Sequence, residues 1–486
     1  MKPPALLELK RVLAETLVRS RLDYTDDLLI LAAFLHDFRW RQGACASGIA
    51  GEWEALEEEG SPPGHFFNLY LHFPYCRSKC LFCLYASRVP PGQAPIDAYV
   101  PEAKREMGFF SQALSGISFR SFMVGGGTPS LLSEPQLGEL LGCAFESFRF
   151  EEEGLRSIEC NPASADPDKL RTLRRLGFNR ISFGVQSLDS KVLARVGREY
   201  QDYDMVKRAV RGARQAGFED LNLDLILGLL GDSLEGFLES FRGVAALRPT
   251  TITVCGLTLT DAYLRAMRTS REEYFRHYES LLPLALEGLR SLARLEGYGT
   301  EELSAGRGIW SLIAEGTPER LIERWERGEH YLGRPCSLLG LGPHSRSHVF
   351  GRLLYERLPG AFDPARPLYR SVRLSLKEEM ALYVLYSLES ESRLVFSGFK
   401  ERFGKDVRDC FGLELKALRA LGKIRLDPEG FSFLPVAIPE RVFYGLFFLW
   451  ETLASSPFSE GRLDRGLRQR LEQELEGSRE EAAAIP

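Results

Sequence analysis

Residues Tyr70 to Arg88 read YLHFPYCRSKCLFCLYASR, and within them Cys76, Cys80 and Cys83 form C-x3-C-x2-C directly after an apolar run. Thiolates are soft ligands suited to iron-sulfur clusters, and a cubane has four irons, so three cysteines leave one iron open to another ligand. Short gaps let one loop wrap three corners, and Phe67 to Phe73 reads as the buried strand that delivers it. A zinc knuckle completed by a distant His or Cys, or three merely buried thiols, are the competing readings. Zinc sites normally bring a second ligand pair at short spacing, whereas Cys45, Cys143, Cys160, Cys255, Cys336 and Cys410 stand singly.

Outward from this loop, short apolar segments alternate with longer amphipathic ones. The strands expected are Phe67 to Phe73, Phe119 to Val124, Leu155 to Glu159, Arg180 to Gly184, Asp220 to Ile226 and Thr250 to Cys255. Helices Ile96 to Leu114, Glu134 to Ser147, Pro167 to Leu176, Asp202 to Ala216 and Ser233 to Leu247 fill the gaps. Repeated βα units predict an open, partial (β/α)6 barrel. Functional groups in such barrels gather beyond the carboxyl ends of the strands. The cysteine loop follows the first strand, Gly125 to Gly127 the second, Glu159 ends the third, Gln186 follows the fourth and Asp224 sits late in the fifth. That convergence makes one site of scattered motifs.

The cysteine loop resembles the signature of radical S-adenosylmethionine (SAM) enzymes, and HFPYC with its flanks resembles the branch containing oxygen-independent coproporphyrinogen III oxidase. VGGGTPS (Val124 to Ser130), SIECNP (Ser157 to Pro162), NRISFGVQS (Asn179 to Ser187) and NLDLILG (Asn222 to Gly228) continue that resemblance in order. It implies a [4Fe-4S] cluster on Cys76, Cys80 and Cys83, and one or two SAM molecules. The open iron would be chelated by the methionyl amine and carboxylate. It further implies that Gly126, Gly127 and Thr128 hold the methionyl ammonium, that Arg198 and Gln186 face the methionyl or ribosyl end, and that Glu159 and Asp224 hydrogen-bond SAM. Tyr70 would lie near the cluster and Tyr85 over the adenine edge. No lysine follows the glycines, so a P-loop reading fails.

The branch's oxidases carry a further cysteine two residues beyond the motif, where this chain has Tyr85. Three activities therefore stand side by side: hydrogen abstraction from an organic, tetrapyrrole-like substrate; methyl transfer to an sp2 carbon using two SAM molecules, as in class C radical SAM methyltransferases; and haem chaperoning, with His344 or His348 as ligand. The H-N-x-x-Y-W stretch of the chaperones is missing between Gly297 and Gly342, where Trp310, Trp325 and His330 are the nearest residues.

Around the barrel, five units are expected: an N-terminal helical extension (1–62), the barrel (63–260), a substrate-side connecting region (261–373), a winged-helix-like α+β domain (374–436) and a helical tail (437–486). Leu6, Leu9, Leu13 and Leu17 predict a first amphipathic helix, packed over one barrel opening or acting as a lid. Thr25 and Asp26 predict caps of a second over Leu28 to Phe34, and Gly48 to Gly64 reads as an acidic linker. Ser337 to His344 looks like a strand entering a loop. Ser375 and Glu378 form a capping box opening a helix to Leu388, Val407 to Leu421 is a further helix, and Lys423 to Leu426 with Phe431 to Leu434 is a hairpin. The segment after Glu451 reads as a solvated helix.

The chain has 486 residues, 62 basic and 67 acidic, mixed along its length, which leaves no cationic stripe for nucleic acid. Nine cysteines without a secretory leader point to a reducing, cytoplasmic setting. The apolar run Val442 to Trp450 is far shorter than the ~20 residues that span a bilayer. The partners expected are a small-molecule substrate and a reductant such as flavodoxin or ferredoxin.

Overall fold

The structure, a computed structural model, describes residues 4–19, 39–300, 309–328, 336–390, 393–434 and 443–476. Twelve strands form one sheet: β1 (Arg41–Ala44), β2 (Phe66–Phe73), β3 (Ser118–Gly126), β4 (Arg149–Cys160), β5 (Arg180–Gln186), β6 (Asp220–Leu227), β7 (Thr251–Gly256), β8 (Ile309–Ile313), β9 (Cys336–Leu341), β10 (Arg346–Val349), β11 (Leu353–Arg357) and β12 (Tyr369–Arg373). Their spatial order is β1-β12-β11-β10-β9-β2-β3-β4-β5-β6-β7-β8. β2 to β7 are the six expected strands, each parallel to the next.

β9 extends this run, pairing parallel to β2 with Leu69 opposite Leu339. β8 closes the other side antiparallel to β7, and β10, β11, β12 and β1 continue beyond β9 as antiparallel strands. The connecting region thus widens the barrel wall. Its segment Ser337 to His344 is a barrel strand followed by a turn at the same end as the cysteine loop.

The helices Ala94–Ala113, Glu134–Ser147, Pro167–Arg175, Tyr203–Gln215 and Leu234–Ala245 follow β2 to β6 as expected. Their starts are set by side chains that satisfy otherwise unpaired amides: Ser133 and Gln136 form a reciprocal capping box, and Asp166, Asp202 and Ser233 accept from the third residue along. Buried faces of these helices and strands form one core, including Phe119, Phe122, Ile158, Phe183, Leu223 and Phe241. Each is at most 0% exposed, so the wall that carries the site is rigidly packed.

Three expectations are corrected. Gly48 to Gly64 is largely helix, Ala46–Glu59, because Ile49, Trp53 and Leu56 form a buried stripe while the acids face outward. Trp53 Nε1 donates to Tyr355 Oη at 2.9 Å, tying this helix to β11. The first helix, Pro4–Arg19, covers no barrel opening: Leu6, Leu9, Val12 and Leu13 join a second core made largely of C-terminal residues. The segment after Glu451 is not solvated, since helix Arg465–Glu476 buries Leu467, Leu471 and Leu475 in that same core. The helix expected over Leu28 to Phe34, with its caps Thr25 and Asp26, lies outside the described residues.

The winged-helix-like arrangement follows the sequence pattern. Helices Leu376–Ser390, Phe396–Phe403 and Val407–Ala420 accompany a small sheet of β13 (Leu394–Val395), β14 (Ile424–Leu426) and β15 (Gly430–Phe433). Ser375 and Glu378 cap the first helix reciprocally, with Ser375 N donating to Glu378 Oε2 at 2.8 Å. No helix among the described residues is long and apolar enough to cross a membrane.

Candidate active site

The cysteine loop leaves β2 at Phe73 and closes on itself. Cys76 N donates to Arg88 O at 3.0 Å, Arg88 N to Pro74 O at 2.9 Å, and Cys83 N to Cys80 O at 3.1 Å. Lys79 Nζ staples the interior of the loop, donating to Tyr85 O at 2.7 Å and Ser87 Oγ at 2.9 Å. All three cysteines are free and half-buried. Among the described residues no three His, Cys, Asp or Glu side chains converge as a mononuclear ion requires. A cubane takes each thiolate on a different iron, and three free thiols on one short loop suit that arrangement.

The glycine loop at the end of β3 is stitched against this one. Gly127 N donates to Phe73 O at 2.6 Å and Thr128 N to Tyr75 O at 2.8 Å. A Cβ on Gly127 would stand 2.4 Å from Tyr75 O, so only glycine permits that approach. Gly126 has φ +100°, and a Cβ there would meet the His72 ring at 2.4 Å. Thr128 Oγ1 lies 3.4 Å from Cys76 Sγ. Two motifs separated in sequence are thereby one bed, with the first cysteine at its edge.

Two carboxylates face the same end of the barrel. Glu159 Oε2 accepts from Gly126 N at 3.3 Å. Burial, and then the charge on Asp224, push Glu159 up to about 7. Asp224 is also raised by burial, although Ser182 Oγ and Asn222 Nδ2 donate to it at 2.8 and 2.6 Å. Asn222 Oδ1 in turn accepts from Thr251 and Thr253 hydroxyls at 2.7 and 2.8 Å. The lumen therefore holds acceptors in excess of donors, an environment made for a ligand that carries positive charge and N–H or O–H groups.

Gln186 ends β5 with φ +70°, beside a register shift between Gly184 and Gln186. Such a bulge re-aims a side chain at a strand end. A Cβ on Gly184 would lie 2.6 Å from Gln186 Nε2, so the amide folds back over that glycine. Arg198 Nε donates to Cys80 Sγ at 3.2 Å, putting the guanidinium against the cysteine loop. Tyr85 is 56% exposed at the barrel mouth, and the Glu159 charge is the main cause that raises its phenol. Tyr70 is half-buried on β2, its hydroxyl 3.1 Å from His72 Nδ1.

His72 is a residue the motif reading passed over. Its Nε2 sits 2.9 Å from Ala86 O, which can only accept, so the proton is on Nε2 and Nδ1 accepts from Tyr70. Burial holds the imidazole below its ordinary pKa, hence neutral. One side chain thus fixes the end of the cysteine loop and the orientation of Tyr70. His72→Phe keeps an aromatic ring, slightly larger, and removes both bonds. It should cost about 1–3 kcal/mol in urea unfolding and reduce iron bound per chain on reconstitution. Of the two histidines named as haem ligands, His348 is 4% exposed on β10 with Nε2 2.7 Å from Glu379 Oε1, leaving His344 as the reachable one.

Comparison with known proteins agrees with this geometry. Residues 70–244 match the radical SAM superfamily. Oxygen-independent coproporphyrinogen III oxidase of Helicobacter pylori J99 is 27% identical over 75% of this chain and 82% of its own length, and that of Escherichia coli K12 is 27% identical over 78% and 84%. Heme chaperone HemW of E. coli K12 is 34% identical over 40% of this chain and half of its own length. The solved structure of E. coli coproporphyrinogen III oxidase superposes with a TM-score of 0.69 at 23% identity, covering 85% of this chain and 95% of that one. Radical SAM enzymes work with a [4Fe-4S] cluster and SAM, groups that the three-cysteine loop and the acceptor-rich lumen fit. Residues 70–244 thus match the radical SAM superfamily, and over about three quarters of its length the chain is similar to oxygen-independent coproporphyrinogen III oxidase.

Proposed function

We propose that the chain directs radical chemistry at a C–H bond of an organic substrate of the tetrapyrrole class, using a [4Fe-4S] cluster on Cys76, Cys80 and Cys83. The observation that carries this reading is that the cysteine loop, the glycine bed and the Glu159–Asp224 pair open onto the same end of the parallel strands. The bound groups supply reductive cleavage of SAM to a 5'-deoxyadenosyl radical. The protein's part is to bind, orient and exclude water.

Glu159 and Asp224 accept hydrogen bonds from SAM, whose sulfonium and ammonium complement the lumen's negative charge. The amides of Gly126, Gly127 and Thr128 already have acceptors, so a ligand ammonium at this bed meets carbonyl oxygens. Gln186 offers an amide at the ribosyl end, Arg198 its Nη2, the nitrogen beyond those that meet Cys80, Gly184 and Gln201, toward the carboxylate, and Tyr85 a ring over the adenine. Tyr70, oriented by His72, lines the cluster side. A flavodoxin or ferredoxin in the cytoplasm supplies the electron.

Tyr85, standing where the oxidases carry a cysteine, favours a second reading: methyl transfer to an sp2 carbon with two SAM molecules. Incubation of the reconstituted enzyme with SAM, reductant and coproporphyrinogen III separates the two. The proposal predicts 5'-deoxyadenosine together with a decarboxylated tetrapyrrole. S-adenosylhomocysteine formed beside 5'-deoxyadenosine assigns methyl transfer instead, and stoichiometric haem binding without either nucleoside assigns the chaperone role.

A further inference from the structure

The Arg198 side chain does something its place in the motif does not announce. It is 7% exposed and has no carboxylate within 4.0 Å among the described residues, the buried Asp224 carboxylate feeling its charge only at longer range. A buried guanidinium needs a negative counter-charge. Its Nε points at Cys80 Sγ, 3.2 Å away. Nη1 is held on the opposite edge, donating to Gly184 O at 2.5 Å and Gln201 Oε1 at 3.1 Å. Gln201 is itself 4% exposed and anchored by Nε2 to Val185 O at 2.7 Å and Ser187 O at 3.4 Å. The Phe82 ring, inside the cysteine loop, lies 5.9 Å from the guanidinium carbon. The cation is thus fixed to the barrel backbone on one side and offered to a single sulfur on the other.

We propose that Arg198, held in place by Gln201, raises the reduction potential of the cluster by donating a charge-assisted hydrogen bond to the Cys80 thiolate. This rests on the reading that Cys76, Cys80 and Cys83 hold the cluster. One-electron reduction adds a negative charge to the cluster. A fixed cation beside one of its sulfurs, in a site of low dielectric, stabilises the more negative state. Orientation matters as well as charge, because an N–H···S bond to a thiolate requires the Nε edge to face the sulfur. Cys80 is accordingly the corner at which the protein tunes how easily the cluster accepts its electron. Gln201, which touches neither sulfur nor ligand, acts through Arg198.

The test is a redox titration of the reconstituted full chain without SAM, followed by the electron paramagnetic resonance signal of the reduced cluster. Iron and sulfide content is measured first on each variant. Arg198→Met should lower the ratio of reduced to oxidised cluster at a fixed ambient potential by about tenfold or more. Arg198→Lys should recover part of that loss, and Gln201→Leu should give a smaller fall with charge intact. Full cluster content with an unchanged midpoint in Arg198→Met overturns the inference while leaving the ligand reading standing. A wild-type chain that assembles no cluster overturns both. Should Arg198→Met fail to assemble, the other two variants decide: midpoints equal to wild type in both overturn the inference, and lowered ones support it.

Discussion

Replacing Cys76, Cys80 or Cys83 singly by alanine abolishes assembly of the [4Fe-4S] cluster, while the same replacement of Cys160 or Cys255 leaves iron and sulfide at the wild-type level. Cys160 and Cys255 both lie at the carboxyl ends of barrel strands, near Glu159 and Asp224. Each stands alone at the end of its own strand, outside the short loop that carries the other three, so neither can take a corner of a cluster held there. The three loop cysteines share one short segment pinned at both ends by the Tyr75–Arg88 bridge. Removing any one strips an iron of its protein ligand, and the remaining two cannot hold the cubane's corners. Iron and sulfide per chain after anaerobic reconstitution, with the absorbance of the cluster, provide the measurement; Cys160→Ala guards against mere unfolding.

Glu159→Gln weakens SAM binding about 10- to 100-fold, as expected for losing a hydrogen bond to a charged acceptor, and stabilises the ligand-free protein. Glu159 carries a folded-state pKa raised from 4.5 to about 7, caused first by burial and second by the Asp224 charge. Its protonated form therefore favours the folded state. That contribution is fully present below about pH 4.5 and is lost as pH rises through about 7. The variant, which cannot ionise, should melt at a higher temperature than wild type above pH 7, with the difference fading toward pH 5. Ligand binding has the opposite sign, because SAM needs the carboxylate ionised. Wild-type affinity should rise with pH up to about 7 and then level off, and Glu159→Gln should flatten that dependence. Calorimetric titration and thermal melts across pH 5 to about 8 read both limbs. A site that is costly when empty and favourable when filled is a common compromise at functional centres.

Much of this was legible in the sequence, for identifiable reasons. Parallel strands buried on both faces appear as short apolar runs, and Ser or Asp caps mark helix starts, so β2 to β7 and the helices between them were readable, except that β4 begins six residues before the expected Leu155, running through the acidic stretch Glu151 to Glu153, and the short helix Ser190–Arg195 went unread. Glu159 and Gln186 could be placed at the carboxyl ends of β4 and β5 because the strands that carry them are legible. β9 was less so: its parallel partner β2 is more than two hundred residues away, and an isolated apolar segment carries no sign of which edge it will join. Helix Ala46–Glu59 was hidden because its acidic face and glycines outweigh three apolar residues until β11 is known to lie beneath them. Arg198 was singled out by motif, but only the fold shows Gly184 and Gln201 turning its guanidinium onto Cys80. His72 could have been noticed as a polar residue within a buried strand, where an unpaired imidazole would be costly and so demands partners.

The measurement that bears most directly on the central claim is chromatography of the products formed when the anaerobically reconstituted chain is given SAM and dithionite, with Cys80→Ala treated identically. The account predicts 5'-deoxyadenosine from the wild type and none from the variant. A wild-type chain that carries its cluster yet yields no 5'-deoxyadenosine, with or without a tetrapyrrole present, would contradict it.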